Sequence, residues 1–112
     1  MVLLFIVNVD WFFMSHRLPI ALEAKKNGYD VTVACHFTLH KEELIGMGFN
    51  VIDIPFSRSG SSIKNELRTL KRIRSVICTV NPSIIHVVTI KPVLYTGLIL
   101  KTFKKDIPLV VA

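Results

Sequence analysis

Short apolar blocks rich in Val and Ile recur along the chain and alternate with segments of helical periodicity. Each block is nearly continuous, which is typical of parallel strands covered on both faces. All of them are much shorter than the about 20 residues that a membrane-spanning helix needs. The pattern predicts these five strands: Val2–Val9, Asp30–Cys35, Asn50–Ile54, Ile84–Val88 and Ile107–Val111.

Helical patterns fill the intervals between the strands. They predict four helices: His16–Asn27, Leu39–Met47, Ser62–Val80 and Pro92–Phe103. The first ends at Gly28, and the last carries Pro92 in its first turn, where a proline is tolerated. Strict alternation of strand and helix predicts an α/β, Rossmann-like fold with a doubly wound parallel five-stranded sheet. Right-handed crossovers give the strand order 3-2-1-4-5, in three αβα layers.

The predicted strand order places two distant segments together. Its winding reverses between strands 1 and 4, and ligands of such sheets bind outside the carboxyl ends of the strands at that point. Segments Asn8–Arg17 and His86–Pro92 lie at the carboxyl ends of these strands, so we expect them to face each other. Neither contains the glycine-rich motif of a dinucleotide or P-loop site, and no such motif occurs elsewhere in the chain. We therefore expect this domain to bind no cofactor of its own.

The segment after the first strand combines side chains that suit a sugar. The candidates there are Asp10, Trp11, Ser15, His16 and Arg17. Carboxylate, hydroxyl and cationic groups bind sugar hydroxyls, and the indole offers a ring face. We expect a loop in which Ser15 caps the following helix and leaves His16 and Arg17 at its positive end. An equally favoured interpretation is that Phe12, Phe13 and Met14 only fill the core and that His16 is an ordinary surface residue of the first helical turn.

Further candidates lie elsewhere at the same edge of the sheet. Thr89 and Lys91 follow the fourth strand, where a hydroxyl and a cation would meet a hydroxylated or anionic ligand; the alternative is an ordinary solvated lysine. His86 has apolar neighbours, which favours a hydrogen-bonded core histidine over a ligand. Between the third strand and the long helix, Arg58 and Ser59 form either an anion site or a plain polar turn.

Net charge is unevenly distributed. The 112 residues carry 14 Lys plus Arg and 8 Asp plus Glu, a formal charge of +6, with the whole excess after residue 56. Much of it lies on one face of the predicted helix Ser62–Val80. That face lacks interleaved aromatic residues, so we expect no nucleic-acid partner. Such a basic face is most often simply solvated; the alternative is docking on an anionic lipid surface. Two cysteines without metal spacing predict a reduced, cytoplasmic setting and no metal.

Three stretches, taken together, resemble one known family. Phe5–Ile20, Ser57–Gly60 and His86–Gly97 resemble the N-terminal domain of family-4 glycosyltransferases, above all enzymes of bacterial capsule and lipopolysaccharide O-antigen assembly. The resemblance implies a retaining, metal-independent GT-B enzyme. In such an enzyme the N-terminal domain binds the acceptor, and the C-terminal domain binds a nucleotide-sugar co-substrate.

The resemblance also bears on individual residues. Asp10–Arg17 matches a segment that is usually glycine-rich in relatives. His86 matches the first histidine of an H-x-H-x-x-K pattern in which Val88 replaces the second and Lys91 is retained. The family's donor-gripping acidic pair has no counterpart. Residues 1–112 are therefore expected to be the N-terminal domain of a truncated enzyme, inactive alone, and no catalytic residue is assigned.

The resemblance implies two partners: a sugar or lipid-pyrophosphate-linked saccharide acceptor and the protein's own C-terminal donor domain. The position of the positive charge adds a third candidate, the anionic inner face of the plasma membrane. The alternative is a non-catalytic module that docks on anionic lipid, or on another anionic partner, through its basic helix.

Overall fold

A parallel five-stranded sheet forms the centre of the protein. The computed structural model describes residues 1–56, 63–103 and 106–111. Its strands are β1 Val2–Val9, β2 Asp30–His36, β3 Asn50–Asp53, β4 Ile84–Val87 and β5 Leu109–Val111. Its helices are α1 Asp10–His16, α2 Leu18–Lys26, α3 Lys41–Gly46, α4 Ile63–Val80 and α5 Ile90–Leu100. The strand order is β3-β2-β1-β4-β5, as predicted.

The helices form a layer on each side of the sheet. Odd-numbered β1 residues such as Phe5 pack with residues of α1, α2 and α3. Even-numbered β1 residues such as Ile6 pack with residues of α4 and α5. Successive side chains of a strand point to opposite faces, so a strand covered on both must be apolar throughout. The predicted three-layer α/β class is confirmed.

The segment after β1 differs from the prediction. Helix α1 begins at Asp10, directly after the strand, so residues 10–15 form no loop. Two interactions hold the helix in place: Asp10 lies in its first turn, where the helix dipole favours an acid, and Phe13 is buried against Phe5 with ring centroids 5.2 Å apart. Ser15 therefore lies inside a helix and caps none. The predicted Ser15 cap is wrong.

A break at Arg17 separates α1 from α2. Pro19 lies in the first turn of α2, and proline there ends any helix that arrives from the N-terminal side, because it lacks an N–H and crowds the preceding turn. His16 is accordingly the last residue of α1, at the negative end of that helix. The expectation that His16 stands at a positive helix end is wrong, whereas Arg17 does stand at the start of α2.

The two thiols lie in opposite environments. Cys35 is buried in β2, and Cys78 is exposed on α4. Burial raises the pKa of the Cys35 thiol far above its usual range, and the nearby carboxylates of Asp10 and Asp53 raise it further. A neutral, buried thiol behaves as a small apolar side chain. In the part of the chain that the structure describes, no helix has the length and apolarity to span a membrane.

Candidate functional site

The carboxyl ends of β1 and β4 lie side by side and bring the two predicted segments together. Ile6 pairs with Val87 across the sheet, and the Val88 N–H donates to the Ile6 carbonyl at 3.2 Å. We call residues 10–17, which follow β1, the first corner and residues 89–91, which follow β4, the second corner. The two corners are neighbours at the point where the strand order reverses.

Asp10 anchors the first corner to a different loop. Its Oδ2 accepts hydrogen bonds from the N–H groups of Thr38 and His40 at 2.9 and 2.8 Å. Its Oδ1 accepts from the Thr38 hydroxyl at 2.6 Å. The side chain is fully buried. Asp10 thus holds the β2–α3 loop against the start of α1, and the expectation that its carboxylate faces a sugar is wrong because the side chain is fully buried against that loop.

The electrostatics of Asp10 agree with this structural role. Burial by itself would raise the pKa of its carboxyl group, but hydrogen bonds outweigh that effect and leave the pKa below its ordinary value. The donors are the Thr38 hydroxyl and the N–H groups of His40, Thr38 and Trp11. A carboxylate that accepts several hydrogen bonds is stabilised in its charged form. Asp10 is therefore ionised at neutral pH.

Three other candidates of the first corner lie at the surface. The Trp11 ring is 42% exposed and meets Phe12 edge to face, at 6.2 Å between centroids. His16 is exposed and stacks on Phe12 at 4.2 Å, with its Nδ1 3.3 Å from the Phe12 carbonyl oxygen. Ser15 is also exposed. The corner thus presents an indole edge to face with Phe12 and an imidazole stacked on the same phenylalanine, and either ring could pack on a sugar ring.

Arg17 and His86 each have a buried nitrogen without a hydrogen-bond partner among the described residues. Arg17 donates from Nη1 to the His16 carbonyl at 3.1 Å, but its buried Nε has no partner among the described residues. His86 is buried in β4 against Phe5, as predicted; however, its Nε2 also has no partner in the described part of the chain. Burial, and then the positive charge of Arg17, lower the pKa of His86. A neutral imidazole therefore lies close to a cation with donor capacity to spare.

Asn8 is a polar residue of this region that sequence reasoning did not single out. Its Oδ1 is buried at the end of β1 and has no hydrogen-bond partner among the described residues. A buried acceptor without a partner costs about 1–3 kcal/mol, so such groups call for an explanation. The sequence does contain a signal for this residue, since Asn8 is the one amide in the otherwise apolar run Val2–Val9.

Thr89 gives the second corner an unusual backbone. It precedes α5 with φ 75° and ψ 163°, a region that β-branched residues avoid. Its hydroxyl donates to the Val88 carbonyl, and its own carbonyl accepts from the Val93 N–H at 3.2 Å. Residues held in sparsely populated backbone regions cost of order 1–3 kcal/mol and cluster at functional sites. Thr89 is a strained residue at the predicted site.

Lys91 stands in the first turn of α5 and faces α4. Its Nζ lies 3.7 Å from Glu66 Oε1, and both side chains are partly exposed. Sequence reasoning missed this pair because Glu66 belongs to another helix. The remaining two candidates, Arg58 and Ser59, lie outside the described residues. Within residues 1–56, 63–103 and 106–111, no three His, Cys, Asp or Glu side chains are grouped as metal ligands; metal independence stays a prediction.

Fold and site together define the class of protein, a Rossmann-like α/β domain whose candidate site lies at the carboxyl edge of its sheet. Residues 2–112 match the model of the family described as "Glycosyl transferase 4-like". The chain belongs to this family. No curated protein sequence matches the chain.

Solved structures share the fold. MurG of Acinetobacter baumannii matches with a TM-score of 0.75 at 10% identity, over 98% of this chain and 34% of its own. A glycosyltransferase of Rickettsia africae matches with a TM-score of 0.75 at 15% identity, over 98% and 29%. The UDP-GlcNAc 2-epimerase of Neisseria meningitidis, bound to UDP-GlcNAc, matches with a TM-score of 0.71 at 15% identity, over 99% and 32%. The chain spans about a third of each of these proteins.

Proposed function

We propose that the chain is the acceptor-binding half of a retaining glycosyltransferase that moves a sugar from a nucleotide-sugar donor to a lipid-linked or growing surface-polysaccharide acceptor. The donor would be held by a second, C-terminal domain of the same protein. In this proposal the acceptor lies across the two corners, against Trp11 and His16 of the first and Thr89 and Lys91 of the second. The full protein would belong to capsule or lipopolysaccharide assembly.

The observation that carries this proposal is the convergence of the two corners in a chain of the glycosyl transferase 4-like family. Fold alone would not suffice, since a UDP-GlcNAc 2-epimerase shares it at a similar TM-score. The imidazole stacked at the surface can pack on a sugar ring. The strained backbone at the end of β4 is of the kind that clusters at functional sites in general.

Titration of the chain with saccharides tests this proposal. In amide NMR spectra, a lipid-pyrophosphate saccharide should shift residues 10–17 and 89–91. His16→Ala and Lys91→Ala should weaken its binding. Ser75→Ala, an exposed α4 change remote in sequence from both corners, is the matched control and should leave the affinity unaltered. Shifts confined to other parts of the chain, or equal affinity in all three variants, would contradict the proposal.

A second candidate function rests on the outer face of α4. Lys64, Arg68 and Lys71 are exposed there, beside the exposed apolar side chains Ile63 and Leu67. Basic residues next to exposed apolar ones are typical of helices that lie on anionic lipid. The chain would then be a non-catalytic docking module, or the enzyme proposed above would rest on the inner face of the plasma membrane through this helix.

Salt dependence and ligand choice separate these functions. Docking on vesicles through α4 should weaken steeply as salt rises, because exposed charges are screened. Binding of a neutral saccharide at the corners depends on hydroxyl and ring contacts and should change little with salt. Binding to phosphatidylglycerol vesicles together with a lack of any saccharide response at either corner would favour the docking module.

A further inference from the structure

A cavity lies at the carboxyl edge of the sheet, on which the two corners also lie, but it is lined by residues of neither corner. Its volume is about 250 Å³, and it is lined by His36, Pro55, Phe56, Asn65 and Arg68. His36 ends β2, Pro55 and Phe56 follow β3, and the other two side chains come from the first turns of α4. The cavity therefore lies beyond the carboxyl ends of β2 and β3, on the side of the sheet where ligands of this architecture bind.

Arg68 is the charged group of this cavity, and no carboxylate of the described residues pairs with it. The acidic side chains nearest to it along the chain have other partners, since Glu66 faces Lys91 at 3.7 Å and Asp53 binds Lys41 Nζ at 2.7 Å. A guanidinium without a carboxylate partner at the mouth of a cavity is suited to an anionic ligand group, to which it can donate two parallel hydrogen bonds.

The other walls set the size and character of what could enter. Pro55 and Phe56 make one side apolar, while His36 and Asn65 add polar groups that can hydrogen-bond hydroxyls. Pockets for whole drug-sized ligands measure about 300–1,000 Å³, so this cavity suits one group of a larger ligand. A sugar unit that carries an acid has this combination of a partly apolar ring, hydroxyls and a negative charge.

We propose that this cavity is a subsite for an anionic group of the acceptor, a sugar carboxylate or a phosphate, with Arg68 as the residue that binds the anion. This inference rests on the proposed function and adds the chemical class of the acceptor. A cavity of about 300 Å³ on the outer side of α4, lined by Lys64, Leu67, Arg68 and Lys71, also has Arg68 in its wall. Lys71 lines that outer cavity only, which makes it the matched comparison for Arg68.

Titration of the chain with three small probes tests the proposal: glucuronate, inorganic phosphate and neutral glucose. Glucuronate, phosphate or both should shift the signals of Asn65, Arg68 and His36 more than glucose does. Arg68→Gln should weaken binding of the anionic probe about tenfold, the usual loss for a charge-assisted hydrogen bond. Lys71→Gln should stay within about twofold of the native chain, because its charge acts only through a screened solvent path. Both side chains are exposed, so both variants should keep the native spectrum elsewhere.

The probes also separate the sources of the anion. Glucuronate binding alone identifies an acidic sugar, and phosphate binding alone identifies a phosphorylated or pyrophosphate-linked acceptor; either supports the proposal. Equal losses for Arg68→Gln and Lys71→Gln would overturn it, since they would show a diffuse positive field. So would equal binding of glucose and glucuronate, or anion sensitivity seen only with phosphatidylglycerol vesicles.

Failure of this inference can be told apart from failure of the proposed function. If Arg68 proves indifferent while a lipid-pyrophosphate saccharide still shifts residues 10–17 and 89–91, the transferase proposal stands and the anion subsite is lost. If the corners do not respond to any saccharide, the transferase proposal itself fails.

Discussion

The two corners of the candidate site are built in opposite ways. At the first corner, Asp10 is buried, ionised and fully hydrogen-bonded, and it holds a loop about thirty residues away in sequence. At the second corner, Thr89 has a strained backbone, and Lys91 makes a long, partly exposed ion pair. The first corner stabilises the fold through complete hydrogen bonding. The second has a strained backbone and a cation that is only weakly paired. Functional groups of this domain are therefore better sought among residues with unfavourable or incomplete interactions than among the polar residues with the most contacts.

Removal of the Asp10 carboxylate should have the largest effect on stability. Asp10→Ala leaves three partly buried donors of Thr38 and His40 without their acceptor and empties the buried site of the carboxylate, so we expect the free energy of unfolding to fall by about 2–4 kcal/mol. Urea denaturation measures this loss. Asp30→Ala is the matched control, because Asp30 is exposed and accepts one hydrogen bond from Asn50; it should cost less than about 0.5 kcal/mol. Equal losses would remove the contrast between the corners.

Acid should erase the advantage that Asp10 confers. Its folded-state pKa lies below the ordinary value, so its contribution is present at neutral pH and is lost as the pH falls through that folded-state pKa. Unfolding experiments on the native chain and on Asp10→Asn should therefore show a stability difference that shrinks below about pH 4. A difference independent of pH would contradict the ionised, hydrogen-bonded carboxylate.

Relief of the strain at Thr89 should have a smaller effect of the opposite sign. Glycine adopts a positive φ without steric cost, so Thr89→Gly should raise the free energy of unfolding by about 1 kcal/mol, after allowance for the added flexibility of the unfolded chain. Thermal or urea unfolding measures the gain. Thr79→Gly, at an exposed position within α4, should instead lower stability by about a few tenths of a kcal/mol. A loss of stability in both variants would show that the second corner is not strained.

Loss of the ion pair at the second corner should have the smallest effect. Lys91→Gln and Glu66→Gln should each change the free energy of unfolding by less than about 0.5 kcal/mol, since partly exposed pairs are screened by water. A double-mutant cycle isolates their coupling, which should decrease further as salt rises. A coupling above about 1 kcal/mol would mean that Lys91 is structural, as Asp10 is, and would weaken its proposed role toward the acceptor.

The layout of the fold could be predicted from the sequence because it depends on patterns within single segments. Apolar runs such as Val2–Val9 predict buried parallel strands. The right-handedness of the crossover connections then predicts the order of these strands in the sheet. The convergence of the two corners follows from that order alone. Nothing beyond hydrophobic periodicity and chain connectivity is needed for this part.

The roles of individual side chains could not be predicted in the same way, because they depend on partners that are distant in sequence. The sequence predicted that Asp10 binds a sugar, but its carboxylate accepts hydrogen bonds from Thr38 and His40 of the β2–α3 loop. The sequence predicted that Lys91 is a solvated lysine or a ligand-binding cation, but it forms an ion pair with Glu66 of another helix. The start of α1 was missed because its stability comes from the burial of Phe13 rather than from local propensity.

The positions of the two cysteines allow the rate at which the sheet opens to be measured by thiol modification. Cys78 is accessible in the native protein and can be blocked first, whereas Cys35 lies in β2 with its thiol shielded and protonated. A thiol reagent can then reach Cys35 only when the strands around it separate. The rate of that second modification gives the free energy of opening at the centre of the sheet. Cys35 is thus a natural chemical probe of opening at the centre of the sheet, and no other label has to be introduced.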